Sequence, residues 1–545
     1  LLAYAANSIT PQLVADFKGG VYGKNSGLST FDNVLNHTRN GNATMVDSDG
    51  LLKWAPHNFA PYSVNLNNAS GSGWGNINLS VVSGATLAPD GTMTASKLVE
   101  SATTNFMYIS DNLGGAVNGA TNRFVIYAKY AGETRYLIMA NGDGGGRALA
   151  VDLVDGSFDT SAIQDDQAGG PTVTSVGDGW WRISCPSVVS IGTGSNATTR
   201  IYLSDNATAT NGVSFTGDGV SGLYLWGLHK YRSNLGGMVN NPATGDSYVP
   251  TTDAARYLPR ENHHVYNGSA WVKEGYLHEP EAATNLLLNS GTLSTQNVTV
   301  TAVPHTLHFT GTGTVTLSGT ATDGPLVGTG TGENNRVNLT FTPTAGTLTL
   351  TVSGTSTNAQ LEVGSVPTSY IATAGSTVTR AADTLTLPVA NIPYPTGGSL
   401  AVSFGYKALV TYADTGTSVT SELIKWTKNA FDGIVLRLDT DLGTGDVVFV
   451  QEAGNTQDFV QSASAYSPGI NVPMSAASRH GSTFINGAVN GTALTADTTP
   501  TAFPDLSATD LIIAPSGGPQ VIQEFIMWGG TTGDIGDAGI AETST

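Results

Sequence analysis

Gly346-Thr-Leu-Thr-Leu-Thr-Val-Ser353 alternates polar and apolar residues along its length. Successive side chains of a β-strand point to opposite faces, so the segment is read as a strand with one face buried and one face wet. The same period-two character runs through Arg123-Phe-Val-Ile-Tyr-Ala-Lys-Tyr130, Trp181-Arg-Ile-Ser184 and Thr199-Arg-Ile-Tyr-Leu203. It restarts later as Ser399-Leu-Ala-Val-Ser-Phe404, Gly433-Ile-Val-Leu-Arg-Leu438, Asp446-Val-Val-Phe-Val450 and Asp510-Leu-Ile-Ile-Ala514, and closes on Gln520-Val-Ile-Gln-Glu-Phe-Ile-Met-Trp528. Gly and Asn clusters break these runs every 8 to 12 residues or so, the spacing of a β-sandwich. The sequence therefore predicts an all-β chain of tandem jelly-roll sandwiches, with its one helix in the tail Asp534–Glu542.

Composition agrees. Only 12% of the 545 residues are charged while 40% are hydrophobic. Gly, Asn and Thr occupy the place of the missing charge, and these suit turns and half-wet strands. A formal net charge of -19 argues against a nucleic-acid partner, whose phosphates demand Lys and Arg. One cysteine, Cys185, excludes an internal disulfide and any multi-cysteine zinc site. No apolar run approaches 18 residues, and Leu1–Ala6 lacks a basic leader, so the expectation is a cytoplasmically made chain with no membrane insertion.

A length of 545 residues asks for several cores. An internal repeat marks where they begin and end. Gly50-Leu-Leu-Lys-Trp-Ala-Pro56 followed by Asn58-Phe-Ala-Pro-Tyr-Ser63 is echoed by Gly275-Tyr-Leu-His-Glu-Pro280 followed by Asn285-Leu-Leu-Leu-Asn-Ser290. The exits match too: Ser247-Tyr-Val-Pro-Thr251 with Ala255-Arg256, and Ser369-Tyr-Ile-Ala-Thr373 with Thr379-Arg380. Four regions follow: an extended N-terminal arm over 1–57 that a partner would order, a jelly roll over 58–256, a connector with a smaller sandwich over 257–380, and a third sandwich over 381–545.

Candidate chemistry is sparse. Asp165-Asp166 reads as a turn and not as a glycosidase pair, which needs two carboxylates flanking one bond. Cys185 precedes Pro186 beside an apolar strand and reads as buried. His263-His264 points to opposite faces of a strand or sits in a solvated loop, without metal-ligand spacing. Gly142-Asp-Gly-Gly-Gly146 lacks the Lys-Ser/Thr of a phosphate loop. No catalytic residue and no cofactor is implied. Asp47 and Asp49, and Asp439, Asp441 and Asp446, place hard oxygens close together, as structural calcium ligands or as ordinary turns. Sugar binding calls for an aromatic platform beside amides or carboxylates. Trp74, in Gly71-Ser-Gly-Trp-Gly75, is the candidate for that contact, whereas Trp180, Trp181, Trp226 and Trp528 lie in strand-like runs and are read as core.

Taken in order, Asp47-Ser-Asp-Gly-Leu-Leu-Lys-Trp-Ala-Pro56, Ala88-Pro-Asp-Gly-Thr-Met-Thr-Ala-Ser-Lys-Leu98, Asp178-Gly-Trp-Trp-Arg182, Gly275 to Leu287 and Ser369-Tyr-Ile-Ala-Thr373 resemble bacteriophage fibre, spike and tail-associated proteins. In that family such strings frame carbohydrate-binding-module-like jelly rolls, and the resemblance covers roughly residues 38 to 385. The C-terminal region is similar to concanavalin-like or laminin-G-like sandwiches through Ser478-Arg-His-Gly-Ser-Thr-Phe-Ile-Asn-Gly487, with its Asn-Gly turn, and Phe525-Ile-Met-Trp528. The resemblance implies a non-enzymatic virion appendage, fibre or spike, on the particle surface at head or tail. It would be made in the bacterial host cytoplasm, docked on other virion proteins through the arm, homo-oligomeric (a trimer being one option), and adhesive to host-surface polysaccharide. The alternatives are a capsid decoration or tail-collar component without ligand, and a polysaccharide depolymerase.

Overall fold

A computed structural model describes residues 1–545 except 26, 68–73, 114–120, 133–135, 142–147, 160–169, 189–196, 208–212, 243–245, 397–399, 415–419 and 442–444. Asp165-Asp166, Gly142–Gly146 and the loop glycines Gly71 and Gly73 lie outside the described residues. The chain is all-β, with antiparallel pairing throughout, and divides into two units: Pro56–Tyr257, and Leu1–Ala55 together with Leu258–Thr545.

The unit Pro56–Tyr257 is a sandwich of two six-stranded sheets. Its strands Thr121–Ala131, Trp180–Val188 and Gly222–Arg232 turn Phe124, Ile126, Ile183 and Leu223 inward, onto Leu149 and Ile201 of the facing sheet. Cys185 is buried in the same core.

The other unit is built on a ten-stranded and a seven-stranded sheet that share one core, with Phe17, Tyr276, Phe404, Trp426, Phe449 and Phe525 between them. A smaller sandwich of four and three strands fills residues 285–363 around Leu307, Phe309, Leu348 and Leu350. Gly346–Ser353 is one of its strands, with Leu348 and Leu350 fully buried. The C-terminal helix Gly536–Thr543 lays Ile540 on the outside of the large sheet, beside Trp528.

Two expectations need correction here. Residues 1–57 are not a partner-ordered arm. Leu13–Asp16 is hydrogen-bonded between Val21–Lys24 and Gln520–Trp528, and Asn36–Thr38 extends the second sheet at Thr384–Leu387. Leu13, Val14 and Ala15 are fully buried, and a short strand buried on both faces carries no alternation for a sequence reading to detect. Asn486-Gly487, for its part, is not a turn. It lies within the strand Ile485–Val489, where glycine is required because a Cβ on Gly487 would strike the ring of Phe449. The turn is at Gly481–Phe484.

The repeated strings turn out to be one polar lock built twice. Asn58 Nδ2 donates to the carbonyls of Leu228 and Val249 (3.0 and 2.8 Å), and its Oδ1 accepts from the amides of Ala60 and Lys230. Asn285 does the same with Ala359 and Ile371 (2.9 and 2.8 Å) and with Leu287 and Leu361. Ser63 exchanges hydrogen bonds with Thr251 and meets the Tyr248 hydroxyl, as Ser290 does with Thr373 and Tyr370. Past the lock the two sequences slip by two residues. Arg256 sits opposite Asn58, whereas Val378 and not Arg380 sits opposite Asn285.

Burial also sets a pH dependence. Desolvation holds His229 and His278 down at about 4, and His263 and His480 at about 3. Once unfolded, each would bind a proton near its ordinary value of about 6.5. Between these limits the unfolded chain takes up more protons, so stability falls as pH falls, by about 1.4 kcal/mol per pH unit for each such histidine. Melting temperature is expected to decline steadily from pH 7 to pH 4.5; a flat profile over that range would contradict the neutral burial of these rings.

Candidate functional site

Of the eight tryptophans, Trp54, Trp74, Trp180, Trp226, Trp426 and Trp528 are buried. Trp74 is therefore not the exposed platform that its glycine-flanked loop suggests. Its indole fills the first core, and its N–H donates to the Pro61 carbonyl at 3.1 Å. Trp181 is half-buried and donates to the Leu153 carbonyl.

Trp271 is placed differently. It lines a cleft of about 310 Å³ in the larger unit. One wall is the hairpin Arg260–Tyr266 and Trp271–His278, whose Asn267-Gly-Ser-Ala270 turn is closed by the Asn267 side chain on the amides of Ser269 and Ala270. Tyr266 and Trp271 are the cross-strand pair that flanks this turn, with ring centroids 5.4 Å apart at 51°. The indole packs over Gly50, the tip of the neighbouring hairpin Thr44–Val46 and Leu52–Trp54, where φ is +74° and a Cβ would strike the ring. The small sandwich supplies the opposite wall.

Polar groups on that wall are held in a chain. Arg336 donates from Nε and Nη2 to both carboxylate oxygens of Glu333 (2.7 and 2.8 Å), and from Nη1 to His308 Nδ1 and the Asn358 carbonyl (2.9 Å each). His308, kept neutral by burial, donates from Nε2 to Glu362 at 3.2 Å. Glu362 in turn accepts from the amide and hydroxyl of Thr368. His264 lines the cleft with Nδ1 buried and without a hydrogen-bond partner among the described residues. Asn334, Asn338 and Asn471 complete the polar lining.

Behind the cleft, and reaching it through Glu279, lies a buried ion cluster. Arg260 donates from Nη1 to Glu279 (2.5 Å) and from Nη2 to Asp383 (2.6 Å), Arg39 donates to Asp383 (3.0 Å), and Arg380 Nε lies 3.0 Å from Glu279. None of these side chains is more than 1% exposed. Burial alone would raise the Glu279 carboxyl, but Arg260, Arg380 and the Ser369 hydroxyl and amide overcome it and hold the group at about 2. Asp383 is likewise held well below the usual carboxylate range against its burial, by Arg260 and Arg39.

Of the remaining candidates, the two histidines line the cleft and the aspartates lie outside it. His263-His264 is part of a strand and not a solvated loop, with His263 Nδ1 accepting the Val46 amide at 3.2 Å. Asp47 closes its hairpin turn by accepting from the amides of Asp49 and Leu51, and pairs with Lys53 at 2.6 Å. Asp439 accepts from the Asp441 amide, and Asp446 from the Ser464 amide. Among the described residues, no three His, Cys, Asp or Glu side chains gather as a metal ion needs. No helix among them is long and apolar enough to cross a membrane. Sequence reasoning missed Trp271, although Tyr266-Asn-Gly-Ser-Ala-Trp271 carries the signal: two aromatics framing an Asn-Gly turn.

No family model matches the chain, and no curated protein matches it. Several solved structures resemble parts of it. The receptor-binding domain of botulinum neurotoxin mosaic serotype C/D is 11% identical over 29% of this chain and 40% of its own length, with a TM-score of 0.23. The serotype G binding domain is 13% identical over 30% and 39%, at 0.22. Domain 4 of AbnA, a GH43 extracellular arabinanase from Geobacillus stearothermophilus solved with arabinotriose, is 10% identical over 43% and 88%, at 0.22. This chain thus spans about two fifths of the toxin domains it matches.

Arg260→Met is expected to destabilise the fold by about 3–5 kcal/mol, because it removes the guanidinium that Glu279 and Asp383 share and leaves each buried carboxylate with one arginine. Chemical denaturation of the variant against the parent chain measures this, and a loss below 1 kcal/mol would mean that Arg39 and Arg380 suffice for the two carboxylates.

Proposed function

We propose that this protein is a non-enzymatic, glycan-binding subunit of a phage-like appendage, and that it holds sugar in the cleft at Trp271. The observation that carries the reading is the Tyr266–Trp271 pair standing beside the side-chain amides of Asn334, Asn338 and Asn471. A pyranose offers an apolar face to an aromatic ring and hydroxyls to fixed dipoles, and a cleft of a few hundred Å³ accommodates one or two sugar rings. The ordered strings quoted above support the particle assignment, and with it other virion proteins and further copies of the chain as partners.

A binding role fits the cleft better than hydrolysis does. Glycosidases set one protonated carboxyl opposite an ionised one. In this cleft Glu279 is held ionised by two guanidiniums, and Glu333 is engaged by Arg336 at both oxygens. The carboxyls that burial raises, Glu261 and Glu524, do not line it. The burial of Trp74 and five other tryptophans favours the second reading, an architectural component whose aromatics serve packing alone.

A glycan array probed with the intact chain separates the two. Binding is expected, and Trp271→Ala should weaken it at least tenfold, about 1.4 kcal/mol, in a chain that still melts cooperatively. Failure to bind any glycan, combined with tight capture by purified capsid or tail proteins, would favour the architectural reading.

A further inference from the structure

We propose that the cleft selects neutral sugars over anionic ones, and that Glu333 is the residue that sets this selectivity. The inference rests on reading the cleft as a glycan site.

An anionic sugar, whether a uronic acid or a sulfated ring, needs a cation with charge to spare. Among the described lining residues the permanent cation is Arg336, and its charge is already committed. Both oxygens of Glu333 are matched to its Nε and Nη2 in a planar, two-point contact, and its Nη1 is spent on His308 and Asn358. Such bidentate pairing satisfies the guanidinium in geometry as well as in charge. The pair is also sheltered, with side-chain exposures of 17% for Arg336 and 10% for Glu333, so solvent does little to weaken it.

The deeper groups present no cation to the lumen, because the three guanidiniums of the ion cluster, which outnumber its two carboxylates, sit behind Glu279 and do not line the cleft. Glu279 is offset by Arg260 and Arg380 behind it, and the buried rings of His263 and His308 each accept a hydrogen bond at Nδ1, as neutral imidazoles do. A carboxylate entering the cleft would be desolvated against the carboxyl of Glu279 and a guanidinium already paired with Glu333, and nothing lining the cleft would return that cost. Hydroxyl groups demand less. The amides of Asn334, Asn338 and Asn471 supply neutral hydrogen-bonding partners around the aromatic pair.

Glu333 lies one turn before Arg336, in the short 3-10 segment Glu333–Asn335, so removing its charge need not disturb the strands behind it. Glu333→Gln keeps the shape and one acceptor while releasing the guanidinium charge into the cleft. Glu333→Asp keeps the charge and serves as the control for the loop itself.

The experiment is calorimetric titration of the full-length chain and both variants with two probe sets of equal length: neutral gluco- and galacto-oligosaccharides, and oligogalacturonates. The parent chain and Glu333→Asp are expected to bind a neutral probe at least tenfold more tightly than any oligogalacturonate. Glu333→Gln should narrow or invert that ratio by at least tenfold, with the gain lost at high salt. A parent chain that prefers oligogalacturonate overturns the selectivity while leaving the glycan site standing. A folded Glu333→Gln chain, shown by an unchanged melt, that keeps the parental ratio removes Glu333 from the role. A parent chain that binds neither probe set, nor anything on the array, overturns the glycan reading and this inference with it.

Discussion

Arg260 is the constraint on which the larger unit depends. One arm of its guanidinium holds Glu279 and the other holds Asp383, with Arg39 and Arg380 closing the two ends. These five residues come from the N-terminal segment, the hairpin strands and the way out of the small sandwich, so a single ionic cluster fixes elements that are distant in sequence. Dry ion pairs add little net stability over an apolar core, but a missing partner leaves an unpaired charge in the interior. The cluster thus penalises every arrangement other than the one observed. It also positions the cleft, because Glu279 and the Ser369 that binds it belong to the cleft wall.

The repeat teaches a related lesson about polar groups. What recurs between the first jelly roll and the small sandwich is the set of hydrogen bonds made by Asn58 and Asn285, Ser63 and Ser290, and Thr251 and Thr373, while the sheets around them differ in strand number. Apolar cores tolerate changes of size and composition so long as they fill. A buried amide with four hydrogen bonds to fixed backbone groups has far fewer solutions. The same lock can therefore close a sandwich of twelve strands and one of seven.

Much of the architecture was legible because alternation is a local property. Gly346–Ser353 and Gln520–Trp528 are strands over the spans their patterns predict, and the helix at Gly536–Thr543 falls within one or two residues of its expected limits. The N-terminal strand was not legible, since the evidence for it is a partner some 500 positions away and its four residues show no period. Trp74 misled for a physical reason: flanking glycines are a sequence signal for a turn and say nothing of where an indole points. Trp271 was overlooked because its meaning depends on Gly50, whose bare Cα gives the ring a surface to lie on. The ion cluster was invisible for the same reason as the N-terminal strand, with Arg39 and Asp383 separated by 344 positions.

The pairing of Leu13–Asp16 with Gln520–Trp528 also bears on how the chain reaches its fold. The central strands of the large sheet can be completed only after Gln520–Trp528 has emerged, and contacts of such sequence separation form slowly because the intervening loop must first be closed. The unit Pro56–Tyr257 needs no such wait, as its strands pair among themselves. During synthesis it can fold while Leu13, Val14 and Phe17 still lack the partners that bury them. For several hundred residues of elongation the nascent protein therefore carries an apolar strand paired on one edge only, ahead of a finished domain, the kind of open edge that chaperones or early assembly would shield.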